Sequence, residues 1–104
     1  MPKTKITVVK RLSCKDMFGD KPPADYDRKM VTPQCPAFKE GQEFIFERDC
    51  PPGFCSWAFA DIQRDIMAIT FGASYPWIKE KQVAITCCTD GLRPVIFRVE
   101  RIGD

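Results

Sequence analysis

Six cysteines are the residues of this chain with the widest chemical scope: Cys14, Cys35, Cys50, Cys55, Cys87 and Cys88. Thiolates are preferred ligands of zinc ions and iron–sulfur clusters, and they also act as nucleophiles and redox groups. Histidine is absent, which removes imidazole metal ligands and both Ser-His-Asp and Cys-His catalysis. Chemistry in this chain is therefore expected to be centred on cysteine.

Cys55 stands at the start of the only long helical pattern in the sequence. Apolar or thiol side chains recur there in steps of four, three, four and three, the spacing of one stripe of an α-helix: Cys55, Phe59, Ile62, Ile66 and Ile69. Residues 51–53, Pro-Pro-Gly, do not fit a helix interior, so the helix is expected to begin near Ser56, a competent N-cap. The Cys55 sulfur would then lie at the positive end of the helix dipole, which favours a thiolate.

Length and composition describe a single globular domain over residues 1–104. The net charge of +2 and the 29% of charged residues give no basic stripe, so nucleic-acid binding is not expected. The first residues lack the apolar core of a signal peptide, and no apolar run approaches the ~20 residues that span a bilayer. We therefore expect a cytoplasmic protein without a membrane partner.

The expected compartment bears on the cysteines, because cytoplasmic thiols are kept reduced. Metal binding, thiol chemistry or simple burial are then favoured over a disulfide framework. The even number of cysteines leaves a disulfide scaffold open if the protein resides elsewhere.

The order of elements predicts an α+β fold. Residues 5–12 alternate as a half-buried strand, and residues 39–48 read as a turn followed by a strand with Phe44 and Phe46 on one face. A helix over 56–71, ending near Gly72, precedes a hairpin over 83–102 whose turn contains Asp-Gly. This order favours a mainly antiparallel sheet of about four strands with one principal helix packed on it.

The stretch 13–41 has no sustained periodicity and contains four prolines, with one candidate short helix around 24–30. A connection of this length is either functional or a loop that covers a sheet edge.

Seven short motifs follow one another along nearly the whole chain: Cys35-Pro36, Phe38-Lys39-Glu40-Gly41, Gly53-Phe54-Cys55, Trp57-Ala58, Pro76-Trp77, Cys88-Thr89-Asp90-Gly91 and Arg93-Pro94-Val95. In these motifs the sequence resembles a family of small prokaryotic proteins, common in anaerobes, that carries the label "uncharacterized repeat protein". The resemblance implies no assigned activity. It implies that Cys35, Cys55 and Cys88 matter, whereas Cys14 and Cys50, and with them Cys87, lie outside the motifs. Family members can occur as tandem copies, and this chain holds one copy.

The first functional hypothesis is a metal site, holding zinc or an iron–sulfur cluster, built from Cys35, Cys55 and Cys88 and completed by Cys50 or Cys87. The spacing Cys50-x4-Cys55 fits one half of a zinc site, but the second half is missing. Adjacent residues of a strand point to opposite faces. With Cys87 beside Ile85 on the expected core face, Cys88 would point away from the core, which weakens the three-cysteine arrangement.

The second hypothesis is thiol chemistry, with Cys55 as a nucleophile or redox thiol and Cys50, Cys35 or Cys88 as the resolving thiol. Without histidine, its base would be Asp49, Asp61 or Lys39, and no spacing selects among these three.

The third hypothesis is a non-catalytic module that binds a protein or a small ligand and contains buried, reduced cysteines. Trp57 lies off the apolar stripe of the helix, so it is either covered by the 13–41 loop or available to a protein partner or to a second copy of the chain. Arg93, in the turn after Asp-Gly, is either a solvated side chain or a group that holds an anion.

Overall fold

A computed structural model describes residues 2–23 and 32–103. The elements in chain order are β1 (Lys3–Arg11), α1 (Cys14–Phe18), β2 (Glu43–Phe46), α2 (Ser56–Thr70), β3 (Val83–Cys87) and β4 (Val95–Gly103). All strand pairs are antiparallel, and the strands are arranged in the order β2-β1-β4-β3. The long helix α2 packs against β1, β4 and β3. The fold is therefore the predicted α+β arrangement.

The core lies between α2 and one face of the sheet. Alternate strand residues point into it, among them Ile6 and Val8 of β1 and Val95, Phe97 and Val99 of β4, all fully buried. From α2 the predicted stripe supplies three fully buried isoleucines: Ile62, Ile66 and Ile69. The apolar residues spaced at 3.6 along the helix and those spaced at 2 along the strands thus pack together in one apolar layer.

Four phenylalanines extend this core towards two loops. Phe38 and Phe54 come from connecting segments, and Phe44 and Phe97 come from strands. Ring centroids lie 4.8 Å apart for Phe44 and Phe54 and 5.1 Å apart for Phe38 and Phe97, both with near edge-to-face geometry. This cluster fixes the segments that carry Cys35 and Cys55 against the sheet.

Helix α2 confirms the helix predicted over 56–71, and Gly72 follows it with the positive φ of +93°. The N-cap is Cys55, one residue before the predicted cap Ser56. The physical reason is the turn at residues 51–54, where the Phe54 amide donates to the Pro51 carbonyl and leaves Cys55 extended ahead of the helix. The Cys55 side chain makes no capping hydrogen bond.

The β3–β4 hairpin is confirmed, but its expected facing was wrong. Ala84 and Thr86 pair with the core-facing residues of β4, whereas Ile85 and Cys87 pair with Arg98 and Ile96 on the other face of the sheet. Ile85 and Cys87 are exposed, and Cys88, just beyond the strand, is buried. Cys88 therefore points inward, opposite to the expectation.

The face of the sheet opposite α2 carries a chain of ion pairs. Lys5 bridges Glu43 and Glu100, and Arg98 contacts Glu100 and Glu80, with N–O distances between 2.7 and 3.5 Å. Cross-strand pairs of opposite charge stabilise neighbouring strands, so the contacts of Lys5 support the pairing of β1 with β2 and with β4.

Helix α1 has no counterpart among the predicted elements. Its N-terminus is a capping box, in which the Ser13 hydroxyl accepts from the Asp16 amide and the Asp16 carboxylate accepts from the Ser13 amide. The candidate helix at 24–30 lies outside the described residues. Neither α1 nor α2, the helices of the described residues, is long and apolar enough to cross a membrane.

Candidate binding cleft

Three segments that are distant in the sequence line one open cavity of about 580 Å³. We call it the thiol cleft. It is lined by residues 35–38, by Cys55, Trp57 and Ala58 at the start of α2, and by residues 88–91 with Arg93 from the β3–β4 connection. The cleft thus gathers all three cysteines that the motifs single out.

The three cleft cysteines differ in exposure. Cys88 is buried, and its sulfur accepts a hydrogen bond from the Val95 amide at 3.4 Å. Cys35 and Cys55 are half-buried and face the cavity. The Cys35 carbonyl accepts from Arg11 Nη1 at 3.1 Å, which ties that segment to the end of β1. All six cysteines are free thiols.

The remaining predicted site cysteines lie away from the cleft lining. Cys50 borders a separate surface depression with Asp49 and Pro51, and desolvation raises the pKa of its thiol. Cys87 is exposed on the outer side of the sheet. Its pKa is raised chiefly by the partial burial of its sulfur and further by electrostatic interactions with Cys88, Asp61 and Asp65.

The metal hypothesis finds no support in these positions. Within residues 2–23 and 32–103, no three side chains of histidine, cysteine, aspartate or glutamate come together closely enough to hold a metal ion. Cys35, Cys55 and Cys88 share a cavity without forming a ligand cluster. A zinc or iron–sulfur site stays a prediction from the sequence.

The thiol-chemistry hypothesis depends on a base near Cys55. None of the three bases suggested by the sequence, Lys39, Asp49 and Asp61, belongs to the cleft lining. The charged lining residues are Asp90 and Arg93, which pair with each other. Thiol chemistry at Cys55 stays a prediction from the sequence.

Trp57 stands at the cleft and is 68% exposed, so residues 13–23 and 32–41 leave most of it uncovered. Its indole Nε1–H donates to the Thr89 hydroxyl at 3.0 Å. Asp61, one helical turn after Trp57, accepts both the Thr89 hydroxyl at 2.9 Å and the Thr89 amide at 2.8 Å. An exposed aromatic ring is thus held in place by polar contacts instead of by packing.

Arg93 is a partly buried side chain that forms an ion pair within the turn. Its Nε donates to Asp90 Oδ2 at 3.1 Å, and its Nη1 donates to the Thr32 hydroxyl. The other oxygen of Asp90 accepts the amides of Leu92 and Arg93 and shapes the turn. The charges of Asp90 and Arg93 offset each other at this side of the cleft.

The roles of Thr89, Asp61 and Phe38 were not predictable from the sequence. Thr89 and Phe38 belong to the quoted motifs, but their types alone do not indicate a hydrogen bond to an indole or a place in an aromatic cluster. Asp61 was a candidate base for Cys55, and its spacing of four from Trp57 indicates a shared helix face, but neither observation indicates the hydrogen bonds to Thr89.

Comparisons with protein families, with curated proteins and with solved structures found no match for this chain. What the cleft does must therefore be inferred from its own geometry.

Proposed function

We propose that the chain is a non-catalytic binding module of the cytoplasm that accommodates a small molecule in the thiol cleft. The observation that supports this proposal is the convergence of residues 35–38, the start of α2 and residues 88–93 on one cavity. A volume of about 580 Å³ lies within the ~300–1,000 Å³ that is typical of ligand pockets.

The lining favours binding over catalysis. Phe38, Trp57 and Ala58 give apolar walls, and the thiols behave as small polarisable apolar groups. In the described part of the chain, the charged side chains of the lining are Asp90 and Arg93, and they form an ion pair with each other. A few polar groups within mostly apolar walls are characteristic of sites that orient a ligand.

We also infer membership of the "uncharacterized repeat protein" family that the motifs resemble. Support comes from position: Cys35-Pro36, Trp57-Ala58 and Cys88-Thr89-Asp90-Gly91 all contribute to the cleft.

The test is an NMR titration of the protein with small neutral compounds, both aromatic and saturated. Compounds that bind are expected to shift the amide signals of residues 35–38, 55–58 and 88–93 together. Ala37 is an exposed residue of the cleft lining, so Ala37→Leu should place a larger side chain in the cleft without disturbing the core. It should raise the dissociation constant about tenfold or more, which corresponds to ~1.4 kcal/mol.

Ala60→Leu is the matched control, because Ala60 is an exposed residue of α2 outside the cleft lining. It should leave binding unchanged. Shifts confined to other surfaces, or equal effects of Ala37→Leu and Ala60→Leu, would refute the proposal.

A further inference from the structure

The hydrogen bonds from Trp57 through Thr89 to Asp61 have only one possible direction. An indole N–H can only donate, and an ionised carboxylate can only accept. The Thr89 hydroxyl therefore accepts from Trp57 Nε1 at 3.0 Å and gives its single hydrogen to Asp61 Oδ2 at 2.9 Å. A hydroxyl that donates to a charged group becomes a better acceptor, so each bond strengthens the other.

These two hydrogen bonds restrict the orientation of the Trp57 indole, which is mostly exposed. Trp57 is 68% exposed, so packing covers only a minor part of it. The Thr89 contact uses the edge of the indole and leaves the ring faces without a bond. The result is an aromatic surface that is held at the cleft before any ligand arrives.

The remaining walls suit a flat ring. Phe38 adds an aromatic side chain, and Cys35 and Cys55 add sulfur atoms, which make favourable contacts with ring edges. Gly91 and Ala58 are small and leave room. Because Asp90 and Arg93 are already paired, a charged ligand would find no unpaired counter-charge among these lining residues.

We infer that the thiol cleft selects uncharged planar aromatic molecules, and that Thr89 and Asp61 are positioning residues that hold the Trp57 indole as the stacking surface. This inference rests on the proposed function of the cleft. It adds a class of ligand and assigns a role to two residues, one of which, Asp61, lies outside the lining.

The experiment compares 2-naphthol with decahydro-2-naphthol, its saturated counterpart, by NMR titration. Stacking on Trp57 should make 2-naphthol bind at least about threefold more tightly. Trp57→Leu should remove this preference. Thr89→Val, which keeps the Thr89 backbone bond to Asp61 but removes the hydroxyl, should reduce the preference, as should Asp61→Asn.

A second readout needs no ligand. In a Trp77→Phe background, Trp57 is the only tryptophan, and its time-resolved fluorescence anisotropy reports the motion of the indole. Thr89→Val should increase the amplitude of nanosecond motion, because the ring loses its anchor. Thr7→Val is the matched control. Thr7 lies on β1 and is not part of the cleft lining, so its replacement should change neither readout.

The outcomes separate the inference from the proposed function. If saturated and aromatic compounds bind the cleft equally well, or if Thr89→Val changes neither the anisotropy nor the preference, the inference is overturned and the binding module stands. If no compound of either kind shifts the cleft signals, both are overturned.

Discussion

At the scale of single residues, Cys87 and Cys88 are adjacent in the chain but lie in different surroundings. Cys88 is buried at the cleft, and the Val95 amide donates to its sulfur. Cys87 is exposed, yet desolvation of its sulfur and the nearby carboxylates of Asp61 and Asp65 raise its pKa. An accessible thiol is thereby kept protonated near neutral pH, and a protonated thiol is a poor nucleophile.

Alkylation with iodoacetamide as a function of pH tests this contrast. Cys87 should react with a midpoint above the ordinary thiol value of about 8.5, since only the thiolate reacts. Asp61→Asn removes one of the negative charges and should lower that midpoint. Mass spectrometry of peptides separates Cys87 from Cys88. A midpoint at or below 8.5, or one that Asp61→Asn leaves unchanged, would contradict the assigned causes.

Part of the site could be predicted at this scale. The motifs selected Cys35, Cys55 and Cys88, and all three line the cleft. The facing of Cys87 and Cys88 could not be predicted, because strand alternation leaves two choices and the pairing register with β4 decides between them. The Trp57–Thr89 bond joins residues 32 positions apart, a separation on which local patterns carry no information.

At the scale of elements, α2 organises the molecule. Its buried side presents Ile62, Ile66 and Ile69 to the sheet, and its first turn contributes Trp57 and Ala58 to the cleft. Asp65 is a buried carboxylate on the same helix, and it accepts the Tyr75 hydroxyl at 2.8 Å. One helix therefore connects the core, the cleft and the loop that follows it.

Neighbouring alanine substitutions in α2 should have unequal effects. Ile66 is fully buried, so Ile66→Ala removes apolar contacts and leaves a cavity, at an expected cost of ~2–5 kcal/mol in the free energy of unfolding. Met67 is 37% exposed, and Met67→Ala should change that free energy by no more than about 0.5 kcal/mol. Urea unfolding measures both values. Similar losses for the two variants would mean that α2 is packed on a different face.

The elements with strong periodicity were the predictable ones. The patterns of residues 5–12 and 56–71 located β1 and α2 to within about two residues, the usual uncertainty of element ends. Helix α1 was missed because five residues are too few to show a 3.6-residue period. Its signal was the capping box Ser13-x-x-Asp16, which depends on two positions rather than on a pattern.

At the scale of the whole molecule, the sheet is built around its two longest strands. β1 and β4 occupy the centre, nine residues each, while the shorter β2 and β3 form the edges. β1 lies near the N-terminal end of the sequence and β4 near the C-terminal end, so their pairing joins the two ends of the chain in one sheet. The molecule is expected to unfold cooperatively.

Hydrogen exchange should reproduce this arrangement. Hydrogen-bonded amides of β1 and β4 should exchange only through global unfolding, with free energies that match those from urea. Amides of α1, a short and mostly exposed helix, should exchange through local opening at much lower free energies. The comparison is made by NMR in deuterated buffer. Protection in α1 equal to that in β4 would contradict the central role of the β1–β4 pair.

The assembly of the thiol cleft from segments separated by β2, α2 and β3 has a thermodynamic consequence. The unfolded chain has no cleft, so an occupant binds only the native state and takes part in the folding equilibrium by mass action. At a concentration 100 times its dissociation constant it would stabilise the whole fold by ~2.7 kcal/mol. The melting temperature of the protein therefore depends on how much of that molecule surrounds it.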